Sequence, residues 1–123
     1  MMFLLGRLLM GGYFLQAGAA HFMKRDMLAG YAASKGVPMP KIAVVVSGAL
    51  LLFGGFGVLT FVYLQWALLA LMLFLVPVSF MMHAYWKEPD MMKAMPDRVN
   101  FMKNMGFTGA ILIMMYFVNL LAH

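Results

Sequence analysis

Two histidines at the ends of apolar segments are the residues of this sequence best suited to proton or ligand chemistry. His21 ends the first apolar segment, and His83 lies near the end of the third. Imidazole changes its charge near neutral pH, and it also binds metals and polar ligands. If consecutive segments cross a membrane in alternate directions, the first and third run the same way, and both rings should lie at one depth.

The fourth apolar segment begins with polar residues that should lie at that same depth. Asn100 and Asn104 are one helical turn apart and share a face, and Lys103 lies beside them. Tyr85 is either part of the same site or a member of the interfacial aromatic belt. We expect these groups and the two histidines to form one cluster at the inner boundary. The cluster is either a ligand or quinone site or a hydrogen-bonded layer that ties helix ends together.

Arg7 is the one formal charge well inside an apolar segment. An Arg at the centre of a membrane helix costs about 2.5–3.5 kcal/mol on insertion scales, but Arg7 is near the segment end and can extend to the interface. It either anchors the helix at the outer boundary or donates hydrogen bonds to an anion or a quinone oxygen there.

Other cofactor chemistry has little support in the sequence. There are no cysteines, which excludes thiolate ligands. The 16 methionines could bind Cu(I), but most lie in apolar runs where Met is a flexible filler. The two histidines lie at segment ends, which argues against a bis-histidine haem inside a bundle. All four acidic residues fall in predicted loops, so we expect no carboxylate pair and no metal site.

The composition is that of a membrane protein. Of 123 residues, 65% are hydrophobic and 11% are charged, far from the balance of a soluble domain. A chain this short cannot bury so much apolar surface in a core of its own, so lipid must solvate most of it. The net charge of +5 is better explained by membrane orientation than by nucleic acid. We expect a single membrane domain over residues 1–123.

Four apolar segments of about 20 residues predict an all-α bundle of four transmembrane helices. They run from about Phe3 to Phe22, Ile42 to Val62, Gln65 to Trp86 and Val99 to Leu121. In the first long loop, Met27 to Lys35 should form a short interfacial helix, with Asp26 as its N-cap and Gly36 as its stop. The second long loop, 87–98, should contain only a turn or two, opened by Pro89 and Asp90 and closed by Pro96.

Small residues mark the expected contacts between helices. Because lipid gives no hydrophobic drive for association, membrane helices pack where small side chains let backbones approach. The candidate pairs are Gly11 with Gly18, Gly48 with Gly55, and Gly106 with Ala110.

Basic residues set the expected orientation. Eight of the nine Lys and Arg residues lie in or beside the two long loops: Lys24, Arg25, Lys35, Lys41, Lys87, Lys93, Arg98 and Lys103. Both loops should therefore face the cytoplasm, with both termini on the periplasmic side of a bacterial inner membrane.

Several segments make the sequence similar to the DoxX family of small membrane proteins. They are Gly6-Arg7, the stretch from Tyr31 to Pro38, His83-Ala84-Tyr85-Trp86, and the stretch from Asn100 to Gly106. The resemblance implies four helices in the bacterial inner membrane and an association with redox chemistry, since the family is named for a subunit of a thiosulfate:quinone oxidoreductase. Many relatives carry an acid in the second span, whereas residues 49–53 are wholly apolar here.

Three functions are consistent with these features, and none specifies a reaction. The first is the membrane subunit of a quinone-linked redox complex. The second is a non-catalytic structural or assembly subunit of a larger membrane complex. The third is a small transporter or metal handler, which would need to oligomerise to enclose a path. In each case the partners are lipid and other membrane subunits or further copies of the chain.

Overall fold

The computed structural model describes residues 1–122, which form five α-helices and one short 3₁₀ helix and contain no strand. The α-helices are α1 (Met2–Met23), α2 (Arg25–Ser34), α3 (Pro40–Thr60), α4 (Leu64–Met82) and α5 (Met91–Ala122), and the 3₁₀ helix covers Tyr85–Lys87. The all-helical prediction is confirmed for this part of the chain.

The chain divides into two compact units. The first unit, Met1–Phe74, contains α1, α2, α3 and the first part of α4. The second unit begins at Leu75 and contains the end of α4, the 3₁₀ helix and α5. The core of the first unit is apolar, and its largest fully buried side chains are Phe14, Leu51, Val58, Leu68 and Leu71.

Three segments of the described chain are long and apolar enough to cross a membrane: Pro40–Thr60, Leu64–Lys87 and Met91–Ala122. They correspond to the second, third and fourth predicted spans. The 22-residue α1 is not among them, and it carries the polar residues Arg7 and Gln16. That α1 also crosses the membrane, which would make four crossings, therefore stays a prediction. The placement of α2 on the membrane surface stays a prediction as well.

Glycines let α1 and α3 pack closely within the first unit, as the sequence predicts. A Cβ added at Gly55 would lie 2.8 Å from the backbone nitrogen of Leu15 and 3.0 Å from the carbonyl oxygen of Gly11. Any side chain at this position would therefore push the two backbones apart. Gly18 and Gly48 make similar contacts along the same pair of helices.

The third predicted pair of small residues does not mark a contact. A Cβ added at Gly106 would meet nothing within 4 Å among the described residues. Gly109, on the same helix, is equally open. Neither Gly106 nor Gly109 therefore marks a close contact of α5 with another part of the described chain.

The end of α2 follows the sequence closely, but its beginning does not. Gly36 has a positive φ of 80°, the Val37 N–H donates to the Ala32 carbonyl and the Gly36 N–H donates to the Ala33 carbonyl. These two bonds form a Schellman motif, which satisfies the last carbonyls of the helix. The prediction of Asp26 as N-cap is wrong, because α2 begins at Arg25 and Asp26 lies in its first turn. In the first turn, its carboxylate interacts favourably with the positive end of the helix dipole.

The second long loop differs most from the prediction, because most of it is helix. The Asp90 carboxylate accepts a hydrogen bond from the Met92 N–H at 2.9 Å and so caps α5. Pro96 does not close the segment, since α5 runs through it to Ala122. A proline there removes one N–H near the helix start, and the long helix after it retains the rest of its hydrogen bonds. The last helix therefore begins at Met91, not at Val99.

Candidate functional site

An imidazole–carboxylate pair is the main polar feature of the second unit. His83 Nδ1 lies 3.2 Å from Asp97 Oδ1, and the two side chains are 16% and 13% exposed. A carboxylate accepts, so His83 donates through Nδ1 and its Nε2 faces away from Asp97. Such a pair fixes the orientation of the imidazole and leaves Nε2 to exchange a proton or bind a ligand.

A break in the chain after α4 positions His83. The helix ends at Met82, and Ala84 has φ −76° and ψ 70°. The Tyr85 N–H donates to the His83 carbonyl at 2.8 Å, which completes an inverse γ-turn centred on Ala84. Helix α4 therefore ends before His83, within the apolar stretch Leu64–Lys87 that corresponds to the third predicted span, and the turn lies between His83 and Tyr85.

Four aromatic rings form a cluster beside this pair. Phe101 lies one helical turn after Asp97, and its ring centroid is 5.3–5.6 Å from those of Trp86, Phe80 and Tyr85. Its contacts with Phe80 and Trp86 are edge-to-face, at interplanar angles of 88° in both cases. We call Phe80, Tyr85, Trp86 and Phe101 the aromatic cluster.

The polar residues predicted at the start of the fourth span lie along α5. Lys103 Nζ donates to Asn100 Oδ1 at 3.4 Å, at the exposed side of the helix. Asn104 is 6% exposed, and its backbone carbonyl accepts a hydrogen bond from Thr108 Oγ1 at 2.8 Å. Ser79, in α4, is fully buried and donates to the Leu75 carbonyl at 2.6 Å, which accounts for its hydroxyl.

His21 belongs to the first unit. Its Nδ1 lies 2.8 Å from the Ala17 carbonyl oxygen, to which it must donate. In the neutral ring, Nε2 is then the hydrogen-bond acceptor. The ring packs edge-to-face on Phe74, with centroids 5.6 Å apart. The convergence of His21 with His83 and Asn104, which belong to the second unit, stays a prediction.

Arg7 also belongs to the first unit, where it joins α1 to the end of α3. Its Nε and Nη2 donate to the Leu59 carbonyl oxygen at 2.9 and 2.7 Å. The guanidinium carbon lies 5.2 Å from the ring centre of Phe3 and 5.0 Å from that of Phe61. These contacts give the Arg7 charge structural partners within its own unit.

Two residues of this site have no role in the interpretation of the sequence. The sequence predicts a loop at Asp97, and Phe101 belongs only to the Asn100–Gly106 stretch that resembles the DoxX family. The sequence does offer one signal for Asp97: the chain has only four acidic residues, so each of them is a candidate partner for a histidine. Asp97 reaches His83 because α5 begins before Pro96, which the sequence does not predict. The described residues contain no group of three or more His, Cys, Asp or Glu that could hold a metal ion.

The apolar helices make this chain a multi-pass membrane protein. The DoxX family description matches residues 2–84, more than half of the chain, and the chain belongs to that family. The matched region includes His83 and ends before α5, so Asp97 and Phe101 lie outside it. No curated protein and no solved structure matches the chain.

Proposed function

We propose that this chain is the membrane subunit of a quinone-linked redox complex in the bacterial inner membrane, with a quinone site at His83. The hydrogen bond between His83 and Asp97, next to the aromatic cluster, is the observation that carries the proposal. Membership of the DoxX family supports it as well.

The pair supplies the polar half of such a site. Asp97 holds the His83 Nδ1 hydrogen, so Nε2 can donate to a quinone oxygen when protonated and accept from a quinol hydroxyl when neutral. Reduction of a quinone to a quinol takes two electrons and two protons. His83 hands on the protons one at a time from interfacial water, and a redox centre on a partner subunit supplies the electrons.

The aromatic cluster supplies the apolar half. Trp86 is 51% exposed, so part of its ring is open to a flat ligand. Aromatic rings stabilise one another by about 0.5–1.5 kcal/mol in offset or edge-to-face pairs, beyond the gain from burial. A quinone ring against Trp86 would then place an oxygen toward the imidazole of His83, three residues earlier in the chain.

The remaining predicted site residues have secondary roles in this proposal. Asn100, Lys103 and Asn104 lie on α5 within three residues of Phe101 and supply further hydrogen-bond donors. His21 would join them if the two units bring its Nε2 to the same depth. Arg7 would contribute stability rather than ligand contacts, because two of its N–H groups already bind Leu59.

Tryptophan fluorescence tests the proposal directly. The chain has two tryptophans, Trp66 and Trp86, so a Trp66→Phe protein reports from Trp86 alone. In nanodiscs, we expect a short-chain ubiquinone analogue to quench this signal with saturation. His83→Ala should weaken binding about tenfold, the effect of losing one hydrogen bond of about 1.4 kcal/mol. His123→Ala, which replaces a histidine that the proposal does not use, serves as the matched control. Linear, unsaturable quenching that His83→Ala leaves unchanged would exclude a quinone site here.

A structural or assembly subunit is the second candidate function. The apolar window of α5 is only 11% buried within the chain, and its outer face carries large apolar residues such as Ile113, Tyr116 and Phe117. That face is free to meet lipid or another membrane subunit. Purification in mild detergent separates the two functions. A partner retained by the His83→Ala protein as well as by the wild type, with no quinone bound to either, would favour assembly.

A further inference from the structure

The first unit carries a polar cleft that the proposed quinone site does not use. The cleft has a volume of about 300 Å³ and opens between the start of α2 and the start of α3. Arg25, Asp26, Lys41 and Val45 line it. All four residues are exposed, so a ligand can reach the cleft from outside.

The charges of the cleft fit a phosphate ester. Arg25 and Lys41 supply two positive charges from two different helices, and Asp26 supplies one negative charge. The guanidinium fork of Arg binds phosphate oxygens in a bidentate manner, and Lys adds a point charge. The net charge of +1 is balanced by one phosphodiester. The Asp26 carboxylate then remains as an acceptor for a hydroxyl group of the same ligand.

The depth of the cleft points to a lipid as the source of that phosphate. Lys41 lies in the first turn of α3, at the end of a helix long and apolar enough to cross the membrane. The end of such a helix lies at the level of the lipid headgroups. Val45 lies one turn further along, about 6 Å deeper at 1.5 Å per residue, where an acyl chain begins.

We propose that this cleft binds the headgroup of an anionic phospholipid that carries hydroxyl groups, such as phosphatidylglycerol. Arg25 and Lys41 hold the phosphate, Asp26 accepts from a headgroup hydroxyl, and Val45 packs against the start of an acyl chain. The proposal is independent of the quinone site, because all four residues belong to the first unit.

Native mass spectrometry of the delipidated full chain in detergent can test this site. Phosphatidylglycerol should bind in a 1:1 complex more tightly than phosphatidylethanolamine, and inorganic phosphate should not displace it. Arg25→Gln and Lys41→Gln should each weaken binding about fivefold, the effect of one basic residue near an anionic lipid surface. Lys93→Gln, which removes an exposed charge from α5, is the matched control and should change nothing.

Two further variants keep the test decisive. Lys41→Arg retains the charge and should retain binding, even if Lys41→Gln lowers the yield of folded protein. Asp26→Asn should reduce the preference for phosphatidylglycerol over phosphatidic acid, which lacks headgroup hydroxyls. Equal affinity for all three lipids, displacement by inorganic phosphate, or equal losses in the Lys93→Gln control would overturn the proposal.

Discussion

Arg7 and Leu59 join two helices through two hydrogen bonds that share one acceptor. Leu59 is the next-to-last residue of α3, so its carbonyl is among those that a helix leaves without an internal N–H partner. The guanidinium satisfies this carbonyl and places a positive charge at the negative end of the helix dipole. A charge that is costly in lipid is thus accommodated as the C-terminal cap of a neighbouring helix.

We expect Arg7→Gln to lower the free energy of unfolding by about 1.5–3 kcal/mol, the usual range for hydrogen bonds to a charged group. Arg7→Lys should recover part of this loss, because it keeps the charge but not the two-pronged geometry. Unfolding in mixed detergent micelles measures both. Wild-type stability of Arg7→Gln would mean that these bonds contribute nothing in the membrane.

The close approach of α1 and α3 predicts a sharp difference between two glycines of similar setting in the sequence. Gly55→Ala should destabilise the protein by about 1–3 kcal/mol, because its Cβ would press on the α1 backbone. Gly55→Leu should be worse and should lower the yield in membranes. Gly12→Ala is the matched control, since a Cβ there meets nothing within 4 Å. Equal effects at both positions would contradict the packing of these helices.

A double-mutant cycle on His83 and Asp97 should give a coupling energy of about 0.5–3 kcal/mol, because both side chains are largely buried. The variants are His83→Ala, Asp97→Ala and the double mutant, and unfolding is again the measurement. If the site is functional, ligand binding should fall in His83→Ala while the protein stays folded. Additive effects of the two substitutions would show that the hydrogen bond is absent in the membrane.

Reporter fusions test the topology and the number of crossings together. With four spans and cytoplasmic long loops, fusions at Met1 and Tyr63 should report from the periplasm, and a fusion at Gly36 should report from the cytoplasm. A fusion after His123, which lies outside the described residues, should also be periplasmic. Cytoplasmic activity at Met1 together with cytoplasmic activity at Gly36 would mean that α1 does not cross.

Cysteine cross-linking tests whether the two predicted halves of the polar cluster meet. The chain has no native cysteine, so each engineered pair is the only pair present. We expect His21→Cys with Asn104→Cys to form a disulfide on mild oxidation. Gly12→Cys with Asn104→Cys should not, because Gly12 lies more than two helical turns before His21 in α1. Cross-linking of the control pair alone would place His21 outside the cluster.

The helices were predictable from the sequence because long apolar runs have few alternatives in lipid, where backbone groups must bond within their own segment. The end of α2 was predictable because Gly36 adopts a conformation that other residues rarely do. The start of α5 was not, since Pro96 and four charged residues nearby have the composition of a loop. The cap at Asp90 and the helix that follows outweigh this local preference.

Only one side of the candidate site could be predicted from the sequence. His83 and Tyr85 stand out by their residue type at the end of an apolar run. Their partners, Asp97 and Phe101, lie across a turn whose geometry no local pattern specifies. Only the γ-turn at Ala84 and the early start of α5 bring the two sides together.

The length of α5 connects this site to the thickness of the bilayer. At 1.5 Å per residue, its 32 residues extend about 48 Å, whereas the hydrocarbon core is about 30 Å thick. The surplus must be accommodated by tilt or by a protruding first segment, which is the segment that carries Asp97. In a thicker bilayer more of that segment is immersed, and water has less access to the carboxylate. Hydrophobic mismatch thereby affects the polarity around His83, whose imidazole is oriented by the Asp97 carboxylate.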